Sequence, residues 1–168
     1  MSKICAPSPQ SEAVVLPTTD ECATLGTTVD TTFLSSLVGY NARRTSLVLM
    51  AVFASAVEGH ALKVVEFSML SLIKANPGIT NSALCTTLGL LPPNAVGSIQ
   101  ALIKRDLIAK RPHLQDGRAY GLFITEQGFT LTNSLEARLI DAESERLKHL
   151  TAKEQKQLIA LLQKTYGA

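Results

Sequence analysis

The chain has 168 residues, of which 46% are hydrophobic and 18% are charged, so it can form one globular domain but leaves little room for two. Its 16 basic and 14 acidic residues give a net charge of +2, which excludes a histone-like polycation and an acidic tail. No apolar run approaches the roughly 18 residues of a spanning helix, and the N-terminus lacks the features of a secretory signal. We therefore expect a soluble, cytoplasmic protein without a membrane partner.

The residue types that usually carry chemistry give no sign of an enzyme. Cys5, Cys22 and Cys85 are an odd number at unrelated spacings, which supports neither a disulfide framework nor a zinc site. The three histidines fall in different predicted elements, and no glycine-rich loop is present to cradle a phosphate. We predict a protein that is not an enzyme and that holds no metal and no cofactor.

Residues 1–30 differ in composition from the rest of the chain. They hold three of the seven prolines and four acidic residues against one lysine, with no aromatic residue. Such a segment buries too little apolar surface to offset the entropy lost on ordering it. We therefore predict a disordered N-terminal arm over 1–30 and a folded domain over 31–168.

The first helix is predicted over residues 32–57. Nearly every side chain from 47 to 57 is apolar, and a helix that is apolar all round is buried on all sides. A second subunit could cover the face that a chain this short leaves open. The alternative is the central helix of a monomeric bundle.

The next elements follow the order of a helix-turn-helix. A helix is predicted over 62–76, since the residue before Pro77 avoids the helical region. Thr80 should then cap a short helix that Gly89 ends. A further helix is predicted over 92–105, with two prolines in its first turn.

Two short strands, 108–112 and 120–124, follow and are joined by a turn that contains an Asp-Gly pair. A hairpin directly after a helix-turn-helix is a winged helix. Thr125 should open a long amphipathic helix, and Thr151 with Glu154 has the spacing of a capping box ahead of a last helix.

The helix over 92–105 has the pattern of a recognition helix. Ala95, Ser98, Ile99 and Leu102 share its inward face. The opposite face, which would enter the major groove of DNA, carries Pro93, Gly97, Gln100 and Lys104, with Asn94 and Ala101 on one flank and Val96 on the other. Asn or Gln can pair with adenine, and lysine can bind guanine or phosphate. Because this face is poor in hydrogen-bond donors, it could instead be the solvated face of a surface helix.

The segment 104–118 is locally basic. It has five basic residues against two acidic ones, a net of +3, although the whole chain is nearly neutral. We predict that Lys104 and Arg111 bind DNA and that Arg118, at the hairpin tip, enters the minor groove. Asp116 would orient Arg118 or order the turn. A surface salt bridge without a function is the alternative for this last pair.

Several runs resemble the MarR family of bacterial winged helix-turn-helix regulators. Residues 107–111 (LIAKR), 116–119 (DGRA) and 124–128 (ITEQG) are similar to the family's wing, and residues 88–108 are similar to its helix-turn-helix. The resemblance covers residues 32–168. Departures lie in and near the recognition helix, where Gly97 and Ala101 occupy positions at which many relatives have arginine. The other departures are Leu91 and Pro93, where serine is common, and Asp106, which replaces a glycine.

The resemblance implies a mainly α fold, a winged helix-turn-helix with a small β-hairpin wing flanked by N- and C-terminal dimerisation helices. The dimerisation helices would span 32–57 and 129–168, and the winged helix DNA-binding region would span 62–128. It also implies a homodimer on a pseudo-palindromic operator in double-stranded DNA, with Asp116 and Arg118 serving DNA binding.

Members of this family often bind small phenolic or carboxylate-bearing aromatic compounds near the dimerisation helices, which loosens their hold on DNA. The candidate residues here are Tyr40, Arg43, Arg44 and His60, among apolar neighbours such as Phe53, Phe67 and Met69. The two arginines could instead be solvated or interfacial, and His60 could be a helix cap. We predict a repressor that a small aromatic effector releases from DNA. Two alternatives remain: a winged-helix module that binds proteins without DNA, and a thiol-based redox repressor.

Overall fold

The computed structural model of the chain describes residues 29–112 and 120–167, and its contacts divide the chain into two units with a boundary after Tyr40. The first unit contains helix α1 (Thr32–Ser35), a single turn. The backbone N–H of Thr32 donates to the Asp30 carboxylate at 2.9 Å, and this bond lowers the pKa of Asp30.

The prediction of one continuous helix over 32–57 is wrong, because the chain leaves the helical path at Ser36 and Leu37 before helix α2 (Val38–Ala56) begins. The Ser36 hydroxyl donates to the carbonyl oxygen of Phe33 at 2.7 Å. A serine side chain that satisfies a backbone carbonyl in this way competes with helical hydrogen bonding.

The other helices are α3 (Val64–Ala75), α4 (Asn81–Leu88), α5 (Pro92–Lys104), α6 (Glu126–Arg146) and α7 (Ala152–Tyr166). Three antiparallel strands, β1 (Ile79–Thr80), β2 (Ile108–Pro112) and β3 (Tyr120–Ile124), form a sheet in the order β1-β3-β2. The predicted winged helix is confirmed, and the two strands of the wing have their predicted bounds. Strand β1 was not predicted, because two residues are too few to show an alternating pattern.

The predicted helix ends are set by local hydrogen bonds. The Thr80 hydroxyl accepts from the N–H of Ala83 at 3.2 Å, and Gly89 ends α4 in the left-handed conformation at φ 62°. The Thr151 N–H donates to the Glu154 carboxylate at 2.8 Å, and the Glu154 N–H donates to the Thr151 hydroxyl at 3.3 Å. The bonds from Thr151 lower the pKa of Glu154.

The core of the second unit is centred on α3 and the winged helix. Its largest fully buried side chains are Met69, Leu70, Ile73, Leu84, Leu102, Leu107, Ile108, Leu135 and Thr132. Ala95 and Ile99 of α5 are also buried and Ser98 is half-buried, so the inward face of α5 is the predicted one. No helix within 29–112 and 120–167 is long and apolar enough to cross a bilayer.

A partly buried polar cluster joins α3 to α6. The Ser71 hydroxyl donates to the Glu136 carboxylate at 2.9 Å, and the Lys74 ammonium donates to Glu136 and, at 2.9 Å, to the side-chain oxygen of Asn133. This cluster fixes the winged helix region against the long helix that follows it.

Candidate nucleic-acid interface

The outward face of α5 is open to solvent. Pro93, Asn94, Gly97, Gln100 and Lys104, the residues predicted to face DNA, are all exposed. A methyl group added to Gly97 would have no atom within 4 Å among the described residues. The fold therefore does not require glycine at this position, which costs helix stability relative to alanine.

Apolar side chains that are not among the predicted DNA-binding residues are also exposed at the start of α5. Leu91, just before α5, is 69% exposed, and Val96 in its second turn is 50% exposed. Helical periodicity predicts that Val96 lies on one flank of the outward face. It does not predict how exposed Val96 is, because that depends on how α5 packs against α4 and β2.

The two cations of strand β2 lie over aromatic rings of strand β3. The Lys110 ammonium is 4.6 Å from the centre of the Tyr120 ring, and the Arg111 guanidinium is 5.6 Å from the centre of the Phe123 ring. Cation–π contacts of this kind hold a charged group in place at a small energetic gain. Arg111 is thus exposed but restrained. Asp116 and Arg118 lie outside the described residues.

Arg105, at the C-terminal end of α5, binds the loop that follows α2. Its guanidinium donates to the carbonyl oxygen of His60 at 2.7 Å and to that of Ala61 at 3.1 Å. Ala61 has a φ of 45°, a conformation that non-glycine residues rarely adopt. We call this pair of hydrogen bonds the Arg105 clasp. It joins the recognition helix directly to the segment between α2 and α3.

The base of the wing is fixed at the same place. Asp106 has a φ of 55°, a left-handed conformation that aspartate tolerates better than most residues other than glycine. The Thr125 hydroxyl donates to the Asp106 carbonyl at 2.7 Å, and the Thr125 N–H donates to the Leu107 carbonyl at 3.1 Å. The end of α5, the start of β2 and the start of α6 therefore form one hydrogen-bonded junction.

Two open clefts border the segment between α2 and α3. A polar cleft of about 830 Å³ is lined by residues that include His60, Arg105 and Glu126. An apolar cleft of about 490 Å³ is lined by residues that include Phe53 and Leu62. Both volumes fall in the range of small-molecule sites.

The structure does not bring the predicted ligand residues together within one chain. Arg43 and Arg44 are exposed near the start of α2, and a helix rise of about 1.5 Å per residue separates Arg44 from Ala56 by roughly 18 Å. His60 lines the polar cleft beyond that helix end. Tyr40 is half-buried and belongs to the other unit.

Two of the apolar neighbours proposed for the ligand contact each other, and the third lies in the same core. Phe53 and Phe67 stack edge to face with ring centres 5.6 Å apart, and Met69 is fully buried in the core cluster to which Phe53 belongs. Cys85 is buried and its thiol donates to the Asn81 side chain at 3.5 Å, as expected for a structural cysteine; Cys5 and Cys22 lie outside the described residues. Within the described ranges no three His, Cys, Asp or Glu side chains are grouped to hold a metal ion.

Comparison with known proteins identifies this arrangement. The model of the MarR family matches residues 62–120. An HTH-type transcriptional repressor of Mycobacterium tuberculosis is 24% identical over 127 residues, which cover 76% of this chain and 91% of that protein. The relatives are named as regulators of transcription and not as enzymes.

Solved structures of transcriptional regulators share the fold of this chain. The transcriptional repressor CouR, bound to a 23-mer DNA duplex, matches with a TM-score of 0.74 and 27% identity over 84% of this chain and 100% of CouR. The PcaV transcriptional regulator of Streptomyces coelicolor matches with a TM-score of 0.71 and 23% identity over 84% of this chain and 98% of PcaV. Residues 62–120 of the chain therefore match the MarR family, and its fold is shared by solved transcriptional regulators.

Proposed function

We propose that the chain is a homodimeric repressor that binds a pseudo-palindromic site in double-stranded DNA and that a small aromatic ligand releases. The observation that carries this proposal is the exposed outward face of α5, which ends at Lys104 and is followed in the chain by the cations of the wing. The structure of CouR on a DNA duplex supports the same use of the fold.

The DNA contacts divide into two kinds. Lys104, Arg111 and the predicted Arg118 carry the net positive charge of the segment 104–118 and would bind phosphates, which releases counterions and makes the affinity depend on salt. Asn94 and Gln100 would contact base edges in the major groove. Asp116 would orient Arg118. Pro93 and Gly97 would allow the backbone of α5 to approach the groove closely.

The dimer follows from apolar surface that a single chain leaves uncovered. Helix α7 buries none of its residues, and Ile159, Leu162 and Tyr166 form an exposed apolar stripe along one side of it. The sequence predicts that the second half of α2 is buried on all sides. In the single chain, however, Phe53 and Ala56 are the only buried residues of α2. A second copy of the chain would cover both surfaces.

The ligand would act at the segment between α2 and α3. We place a small aromatic ligand in the apolar cleft beside Phe53, whereas His60 lines the polar cleft. CouR bound to p-coumaroyl-CoA, whose acyl group is phenolic, supports an effector with an aromatic ring. Because the Arg105 clasp connects this segment to α5, a ligand that prefers a displaced segment would also favour displaced recognition helices. The loss of DNA affinity would then equal the difference in ligand affinity between the two states.

The salt dependence of DNA binding tests the proposed interface. Duplexes are selected from a random pool with the full-length protein, and affinity is measured between 50 and 200 mM salt. We expect Lys104→Ala and Arg118→Ala each to weaken binding and to reduce the slope of log affinity against log salt by about 1, because each removes one phosphate contact. Lys164→Ala, at the end of α7, is the control and should leave the slope unchanged.

Two results would contradict the proposal. Unchanged slopes for both variants would remove these residues from the interface. If no duplex is enriched at any salt concentration, the chain does not bind DNA specifically, and the donor-poor face of α5 would favour a protein-binding module.

The Arg105 clasp gives a second prediction. Arg105→Ala removes two hydrogen bonds from a charged donor, so we expect the free energy of unfolding to fall by about 1–2 kcal/mol and DNA affinity to fall about tenfold through loss of helix orientation. The salt slope should not change. Arg105→Lys retains the charge but lacks the planar fork that reaches both carbonyls, so its affinity should fall nearly as far. Wild-type affinity for the lysine variant would show that Arg105 acts on DNA by charge alone.

A further inference from the structure

The first two turns of α5 present apolar groups where base contacts are made. In helix-turn-helix proteins the N-terminal residues of the recognition helix reach the base edges. Here Pro93, Val96 and Gly97 occupy much of that exposed surface, and Val96 lies outside the hydrophobic core cluster. We propose that Val96 contacts a thymine methyl group and that the first half of α5 selects A·T base pairs. This inference rests on the proposed DNA binding.

Thymine is the base that fits this surface. Its C5-methyl group is the apolar feature of the major groove, whereas the edges of guanine, cytosine and adenine offer only donors and acceptors. A guanine placed against the branched side chain of Val96 would lose hydrogen bonds to water and gain none from the protein. The exposed valine therefore disfavours G·C pairs as well as favouring thymine.

Asn94 supplies an independent preference for the same type of base pair, A·T, at a neighbouring position. Its amide NH2 can donate to N7 of adenine while its amide oxygen accepts from the N6 amino group, in a bidentate arrangement. At 100° per residue, Asn94 and Val96 lie on opposite flanks of the outward face, with Pro93 and Gly97 between them. One flank thus suits adenine and the other suits thymine, while the missing side chain of Gly97 lets the helix approach both.

The charged residues of the interface do not compete with this selection. Lys104 lies in the last turn of α5, and Lys110 and Arg111 lie on β2. Contacts of such cations to phosphates position a protein on DNA but carry no sequence information. Sequence selection is left to the uncharged residues of the outward face, namely Asn94, Val96 and Gln100.

The test removes the methyl group from the thymine side of the proposed contact and the two γ-methyl groups of Val96 from the protein side. Duplexes are selected from a random pool with the full-length protein, and each thymine of the best duplex is replaced in turn by deoxyuridine, which lacks only the C5-methyl group. We expect affinity to fall about fourfold at one thymine per half-site, the effect of burying one methyl-sized group. Val96→Ala should lower the affinity for the thymine duplex and abolish the penalty for deoxyuridine at that position.

Asn94→Ala provides the second arm. It should relax the preference for adenine at an adjacent position and leave the deoxyuridine penalty intact, because it removes the amide and not the valine. Circular dichroism checks that both variants are folded, which we expect because alanine favours a helix at exposed positions.

Each outcome separates this inference from the proposed function. Enriched duplexes with no deoxyuridine penalty, or with a penalty that Val96→Ala retains, would overturn the thymine contact and leave DNA binding intact. Half-sites dominated by G·C pairs would do the same. Failure to enrich any duplex would overturn both, and would favour a protein partner for the apolar surface.

Discussion

Ile159→Asp is expected to raise the dissociation constant of the dimer at least about a hundredfold and to abolish tight binding to a two-half-site duplex. Ile159 is 56% exposed in the single chain, so the monomer gains no buried charge and should remain folded. In a symmetric dimer, however, the carboxylate would enter the interface twice, once from each subunit, without a partner. Sedimentation velocity measures the dimer, and DNA affinity is measured on the same samples.

Ala160→Asp is the matched control for this substitution. Ala160 is the next residue of α7, is also exposed, and lies about 100° round the helix from Ile159 and away from the apolar stripe. It places the same charge at nearly the same distance from the helix end, so the dimer should persist. If Ile159→Asp forms a dimer as tightly as the wild type does, the stripe of α7 is not the dimer interface.

Gly128→Ala is expected to have the largest effect on stability, lowering the free energy of unfolding by about 3 kcal/mol or more. A methyl group on Gly128 would overlap the carbonyl oxygen of Leu107 and lie 2.9 Å from its carbonyl carbon. The Leu107 carbonyl cannot move away freely, because it accepts the N–H of Thr125 at 3.1 Å. Relief would require α6 to separate from the base of the wing. Chemical denaturation of the full-length protein measures the change.

The same substitution at Gly97 serves as the control. Gly97 is also helical, but an added methyl group there has no described atom within 4 Å. Gly97→Ala should therefore raise stability by about 0.5–1 kcal/mol, the usual gain for alanine over glycine in a helix. Equal stability of the Gly128→Ala variant and the wild type would show that the junction relaxes without cost.

Local signals in the sequence were sufficient for most of the fold. Thr80, Gly89 and Thr151 act on backbone groups within four residues of themselves, so their spacing alone predicts where helices begin and end. The break at Ser36 was missed because serine is common within helices and the apolar stripe continues across it. Strand β1 was missed because its residues become a strand only by pairing with β3, where Ile79 lies opposite Leu122.

The candidate site was predictable only in part. Periodicity alone separates the inward face of α5 from its outward face, and charge counting finds the basic segment that begins in its last turn. The Arg105 clasp joins residues 44 and 45 positions apart, and no local pattern records such a contact. Arg105 is one of the five basic residues of the segment 104–118 that suggest a DNA contact. In the structure, however, its guanidinium donates to two carbonyl groups of the protein.

The two prolines at the start of α5 limit how this helix would hold the DNA backbone in the proposed complex. Helix N-termini commonly bind phosphates through their free N–H groups. Pro92 and Pro93 have no N–H, and the N–H of Asn94 already donates to the Leu91 carbonyl at 2.9 Å. The start of α5 therefore offers no free backbone N–H to anchor a phosphate. In the proposed complex it would instead approach the floor of the groove without removing water from unpaired peptide N–H groups.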